Sequence, residues 1–145
     1  MNASYNFRAL SPKDFEDLLA DLIAAECSCH VETYKAGPDG GVDLRARTSE
    51  GVRIIGQAKH YIGSSFNDLK KACRPEADRV GKISKIADRY ILGTTQALSS
   101  SQKYELVSIF NGFPLSEADI LGADDIASLL RRHKSVERAL SLIHI

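Results

Sequence analysis

The chain has too few cysteines for a disulfide scaffold. Cys27, Cys29 and Cys73 are an odd number, and free thiols in a reducing compartment are the expectation. No apolar run approaches the roughly 18–20 residues that a membrane span needs, and the opening residues lack the basic stretch and apolar segment of a secretory signal. A cytoplasmic protein with no membrane partner is expected. Proline is scarce, at 4 against 10 glycines in 145 residues, and no repeat, low-complexity tract or internal linker interrupts the chain, which excludes fibrous and disordered classes. Two functional signatures are missing as well. The segment Gly37–Gly41 lacks the Gly-Lys-Ser/Thr ending of a phosphate-binding loop, and Cys27, Cys29 and His30 find no second ligand pair at zinc spacing.

What remains is an ordinary globular composition, 43% hydrophobic and 26% charged, long enough for one domain that buries roughly two thirds of its unfolded surface. Net charge is zero, yet it is unevenly spread. Residues 1–50 hold 5 basic and 9 acidic side chains, residues 51–145 hold 14 and 10, and Lys59 to Arg89 alone hold 8 and 4. Such a dipolar chain can set a basic, phosphate-gripping surface beside an acidic site that holds a cation.

The first predicted element is a helix from Ser11 to about Ala25. Ser11 is a good N-cap, Pro12 suits the first turn, and Phe15, Leu18, Leu19, Leu22 and Ile23 form one apolar stripe. Asp14, Asp17 and Asp21 point away from the stripe. Glu16 lies on its border and is the acid expected to face the protein. A short strand at His30–Tyr34 and a glycine-rich loop at Gly37–Gly41 follow. Val42–Thr48 and Val52–His60 then read as a hairpin with Gly51 in the left-handed position. A turn centred on Glu50 makes paired residue numbers sum to 100, which sets Asp43 opposite Gln57. From Phe66 the period is helical again, with a kink or break expected at Arg74 before Pro75. Tyr90–Thr94 reads as a buried strand, Ser99 and Gln102 as a capping box opening a helix through Tyr104, Val107 and Phe110, Ala118–Leu121 as a short strand and Asp125–Arg132 as a last helix. The order αβββαβαβα, one hairpin and then alternation, predicts an α/β domain with a mixed sheet flanked by helices.

Alternation in the second hairpin strand sends Gln57 and Lys59 to one face and Gly56 and Ala58 to the other. Directly opposed strand residues have Cβ atoms about 4.5–5.5 Å apart, so Asp43 and Gln57 can share a ligand with Lys59 two residues on. With Glu16 added, three oxygen donors surround a lysine. Oxygen donors suit a hard cation such as Mg²⁺, which takes one or two carboxylates and substrate phosphate oxygens. A cation there can polarise a phosphoryl oxygen and acidify a water, while the amine neutralises developing charge. The pattern predicts a metal-dependent nuclease. Taken singly, an Asp43–Lys59 surface ion pair, a helix end with buried thiols at Cys27–His30, and simple capping by Ser99 are the plainer readings of these residues.

Phe15-Glu16, Asp39-Gly40-Gly41-Val42-Asp43-Leu44, Gln57-Ala58-Lys59-His60-Tyr61 and Tyr90–Thr94 followed by Thr95 resemble, in this order, the Mrr-like restriction endonucleases of the PD-(D/E)xK superfamily. The resemblance runs from about Leu10 to Arg132. It implies a restriction-endonuclease-like fold with an αβββαβ core and a C-terminal αβα addition, DNA cleavage with Mg²⁺ or Mn²⁺, and a catalytic site of Glu16, Asp43, Gln57 and Lys59. Asp43, Gln57, Ala58 and Glu16 are the implied metal contacts; His60, Tyr61, Thr94, Thr95 and Ser99 are candidates to touch DNA. Gln57 stands where the superfamily commonly has Asp or Glu, so metal binding without DNA should be weak. The resemblance further implies a restriction or antiviral role, leaves room for a homodimer, and points to a missing C-terminal recognition or NTPase domain, so that residues 1–139 read as the endonuclease domain of a longer protein. Leu140–Ile145 look like a non-native tail. A structure-selective nuclease of the Holliday-junction resolvase kind, or a catalytically silent DNA- or partner-binding module, are the rival readings.

Overall fold

The computed structural model describes residues 5–33, 44–60, 65–78, 83 and 85–144, with residues 143 and 144 described by backbone alone. Helix α1 (Pro12–Cys27) begins where its sequence dictates: the Ser11 hydroxyl accepts from the Asp14 amide at 3.0 Å, with Pro12 in the first turn. It ends at Ser28, a non-glycine residue in the left-handed region (φ 52°), whose N–H closes onto the Ala24 carbonyl. Strand β1 (Val31–Thr33) leads to the hairpin β2 (Leu44–Arg47) and β3 (Arg53–Lys59). Gly51 takes φ 88° in the turn, as the three-residue connection requires. Leu44 pairs with Gly56, Arg45 with Ile55, Ala46 with Ile54 and Arg47 with Arg53, so the expected register holds at every described pair. The expected Asp43–Gln57 pair, and the loop at Gly37–Gly41, fall outside the described residues.

Helix α2 (Phe66–Ala77) is capped by Ser65, which accepts from the Asp68 amide at 3.1 Å. It is not split at Arg74: Pro75 lies inside its last turn. A proline deep in a helix costs about 3 kcal/mol, but here only a terminal turn follows, and Glu76 in that turn is fastened to β3 by two bonds of a charged carboxylate, worth about 1.5–3 kcal/mol each. Strand β4 (Arg89–Thr94) runs parallel to β3, and β5 (Ile120–Leu121) parallel to β4, completing a five-stranded mixed sheet in the order β1-β2-β3-β4-β5. Arg53 and Asp88 clamp the start of the β3–β4 pair, the guanidinium at 3.0 and 3.1 Å and the Arg53 amide at 2.9 Å from the carboxylate. Those hydrogen bonds hold the Asp88 carboxyl down at about 2. Helix α3 (Ser100–Ile109) opens with the full Ser99–Gln102 capping box. Its buried side is Leu106 with Phe110 just beyond, whereas Tyr104, expected on the apolar run, is exposed. Helices α4 (Ala123–Arg132) and α5 (Lys134–His144) follow. The last of these was not expected, and its Val136 and Leu140 are buried in the core.

The helices divide between the two sheet faces. Ile55, Tyr90 and Leu92 point toward Leu69 and Cys73 of α2 and Leu106 of α3. Ile54 and Ile91 point the other way, to Leu19 and Ile23 of α1, and beyond them Phe15, Leu18 and Leu22 pack with Ile126, Leu129 and Leu130 of α4. Gly93 sits under α1, and a Cβ there would lie 2.7 Å from Leu19 Cδ2. The missing side chain lets helix and sheet close on each other.

Candidate active site

Strand alternation delivers Gln57 and Lys59 to one face, as the sequence predicts, and α2 covers that face, one turn of it meeting them. The Gln57 Nε2 donates to Glu76 Oε1 at 2.6 Å, and Lys59 Nζ donates to the same oxygen at 2.7 Å. On its other side Gln57 Oε1 accepts from the Tyr90 hydroxyl at 2.9 Å. A carboxylate only accepts hydrogen bonds, so the amide nitrogen must face Glu76 and the oxygen must face Tyr90. Gln57 is 3% exposed and Tyr90 1%, which turns the carboxamide oxygen toward the core and the amide toward the helix.

The Lys59 and Glu76 side chains are 17% and 16% exposed. At such burial an ion pair gives up much of its hydration, and its attraction repays this only when further hydrogen bonds satisfy what remains. Gln57 supplies one. The compensation is incomplete, however: Glu76 Oε2 is buried and has no hydrogen-bond partner. Cys73, one turn earlier on α2, is fully buried beside the pair. Burial pushes its thiol up to about 12; the nearby lysine opposes this and the Glu76 carboxylate adds to it. It is therefore a neutral packing residue, not a nucleophile. The thiols expected to be buried at the end of α1, Cys27 and Cys29, are only partly so.

The other sequence candidates are distributed around this cluster. Glu16 does face inward, at 15% side-chain exposure, and lies 3.4 Å from Lys13 Nζ; its helix covers the opposite sheet face from Gln57 and Lys59. Ala58 also points to the α1 side. His60 continues β3, meets the Phe15 ring edge-on at a centroid distance of 6.0 Å, and keeps both ring nitrogens buried without a partner. Asp43 and Tyr61 lie outside the described residues. Thr94 and Thr95, considered as DNA contacts, are buried at 0% and 5% exposure. The Thr94 hydroxyl is turned inward and donates to the Lys59 carbonyl at 3.0 Å, steadying the strand under the lysine. Ser99 is a cap, accepting from the Gln102 amide at 3.2 Å.

Two residues of the site escaped sequence reasoning. Gln96, 5% exposed, donates from Nε2 to the Ser65 carbonyl at 3.1 Å and so ties the start of α2 to the end of β4. Glu76 is the more consequential. The signal that could have found it is its place seven residues after Leu69 and three after Cys73, which puts it on the buried flank of α2. Among the described residues no three of His, Cys, Asp and Glu come together as a metal cage. The donor chemistry nonetheless fits a loosely held hard cation, since one buried carboxylate oxygen of Glu76 has no hydrogen-bond partner. No helix among the described residues is long and apolar enough to cross a membrane.

Residues 7–101 match the restriction endonuclease family model Mrr_cat, a span that contains β1–β4, α1, α2 and the whole polar cluster. The chain is also 38% identical over 135 residues to the uncharacterized protein y4cD of Sinorhizobium fredii (strain NBRC 101917 / NGR234), a match covering 93% of this chain and 21% of that protein. The chain thus spans about a fifth of that relative's length. It belongs to the Mrr-type restriction endonuclease family, with a restriction-endonuclease-like α/β fold.

Proposed function

We propose that this member of the Mrr-type family is a divalent-metal-dependent endodeoxyribonuclease domain whose site is the polar cluster at the end of β3, together with Asp43. The observation that carries the reading is the joining of Lys59, Gln57 and Glu76 within hydrogen-bond distance, in a chain whose hairpin register, intact as far as Leu44 opposite Gly56, supports Asp43 as the next residue to face Gln57. Bound here, Mg²⁺ or Mn²⁺ would polarise a phosphoryl oxygen and lower the pKa of a water. Asp43 would hold it, with a DNA phosphate completing the coordination. An ammonium group has three N–H donors. Lys59 spends one on Glu76, and another is available to orient the attacking water or to neutralise charge on the phosphate. Thr94 holds the Lys59 backbone, so the amine is aimed from a fixed strand. Restriction or antiviral defence in the cytoplasm is the setting that family membership supports.

The test is nicking of supercoiled plasmid DNA with Mg²⁺, Mn²⁺ or EDTA, comparing wild type with Lys59→Ala and with Arg131→Ala on the distal helix. Cleavage that requires metal, survives Arg131→Ala and is lost in Lys59→Ala supports the reading. Equal activity in both variants removes Lys59 from the mechanism. Binding of duplex without cleavage under any metal selects a silent DNA-binding module instead, and preference for a four-way junction over linear duplex selects a structure-selective nuclease.

A further inference from the structure

Gln57 leaves the strand one negative charge short, and the carboxylate nearest to it comes from a different element. We propose that Glu76 of α2 is a metal ligand of this site, supplying the charge that β3 lacks, and that Gln57 acts through it as a positioning residue. The inference rests on the nuclease reading given above.

Three features of the cluster point this way. The orientation of Gln57 is set by its partners, and it directs the carboxamide oxygen at the buried Tyr90 hydroxyl and the nitrogen at Glu76. In that orientation the group facing the acid is a donor, suited to holding a carboxylate and unsuited to holding a cation. Next, Glu76 carries two donors on one oxygen, Oε1, and none on the other. A buried carboxylate oxygen without a partner is costly, and a structural anchor gains nothing from it. A ligand oxygen does, because a cation satisfies it. Finally, Pro75 immediately precedes Glu76 and removes the N–H that would have bonded the Lys71 carbonyl, so the backbone of the last turn is held less by the helix than by the Glu76 side chain's own attachment to β3. The carboxylate is thus presented by its bonds to Gln57 and Lys59. The same arrangement makes Lys59 a counter-charge with which a cation must compete for Glu76, and which a DNA phosphate would draw away, in accord with weak metal binding until DNA is present.

The experiment measures Mn²⁺ binding by calorimetry and by the Mn²⁺ electron paramagnetic resonance spectrum, with and without a short duplex, on the whole chain. Wild type, Glu76→Gln, Glu76→Asp, Gln57→Leu and the exchange Gln57→Glu/Glu76→Gln are compared, each checked for folding by its thermal midpoint. Glu76→Gln keeps the shape and still accepts from Lys59, so it should fold. It should weaken Mn²⁺ binding at least tenfold in the presence of duplex. Glu76→Asp, which keeps the charge but retracts it, should fall between. Gln57→Leu should cost less than Glu76→Gln, and the exchange, which moves the carboxylate to β3 at constant net charge, should recover most of the loss. Unchanged Mn²⁺ affinity in folded Glu76→Gln overturns the assignment while leaving the nuclease reading intact. A Gln57→Leu loss larger than that of Glu76→Gln overturns it as well, by making Gln57 the ligand. If wild type takes up no Mn²⁺ even with duplex, the metal-dependent reading itself fails, and the Glu76 assignment with it.

Discussion

The two faces of strand β3 were built to opposite specifications. On the α1 side its residues are Ile54, Gly56 and Ala58, and β4 adds Ile91 and Gly93, so that small and apolar groups let the helix sit directly on the sheet. On the α2 side they are Ile55, Gln57 and Lys59, where the strand passes from core into a polar cluster that the helix touches through one carboxylate. Seven consecutive residues therefore carry both a packing surface and the polar surface proposed to react, which period-two alternation allows. In the proposed mechanism, rigidity on one face positions chemistry on the other. A lysine aimed from a strand that is clamped from behind by Leu19 and held at its carbonyl by Thr94 needs little reorganisation to act.

That division can be broken at either face. The largest effect is expected at the reactive one. Lys59→Ala should lower the rate of metal-dependent plasmid nicking about 10³-fold, with Asp43→Ala comparably inactive and also losing Mn²⁺ uptake in the presence of DNA. Calorimetry that finds undiminished uptake by Asp43→Ala would remove that residue from the site. Next comes Leu19→Ala on the packed face. It removes a fully buried side chain and should cost about 3 kcal/mol in urea or guanidinium unfolding, while the cleavage rate of the molecules that remain folded changes little. A large rate loss at full folding would mean that the two faces are coupled more tightly than alternation implies.

A smaller effect is expected from Gly93→Ala. The added methyl would press on Leu19 at 2.7–2.9 Å, and overpacking of this kind costs about 2 kcal/mol, read as a fall in thermal midpoint. No fall would show that α1 can shift without penalty. The smallest concerns Cys73, whose thiol stands at about 12 in the folded protein against 9.0 for the ordinary group. Because the folded value is raised, the folded state retains this proton where the unfolded chain has lost it. The contribution is whole below pH 9 and drains away between about 9 and 12. At pH 10 the loss should be about 1 kcal/mol relative to pH 8, and Cys73→Ala should lack this component of the pH dependence. Identical pH slopes in wild type and variant would assign the alkaline loss elsewhere.

The sequence by itself determined whatever depends on neighbours a few residues apart. Ser11 and Pro12 start α1, Ser99 and Gln102 start α3, and Gly51 sets the hairpin register, because capping and turn geometry are settled by local hydrogen bonds and by the φ that glycine tolerates. It also determined which side chains share a face of β3, since alternation is a property of any extended chain. Only the tertiary structure decided who meets them there. Helix α2 could continue through Pro75 because Glu76 found Gln57 and Lys59, 19 and 17 positions earlier in the chain. Thr94 and Thr95 turned from candidate DNA contacts into buried polar positions because β4 runs between β3 and β5, and residues 134–144 became a helix with Val136 and Leu140 in the core because α1 and α4 leave an apolar surface for them. None of these is encoded in a local period. Each is decided by what the sheet brings within a few ångströms, and a buried charge such as Glu76 takes its position from the partners that satisfy it, wherever in the chain they lie.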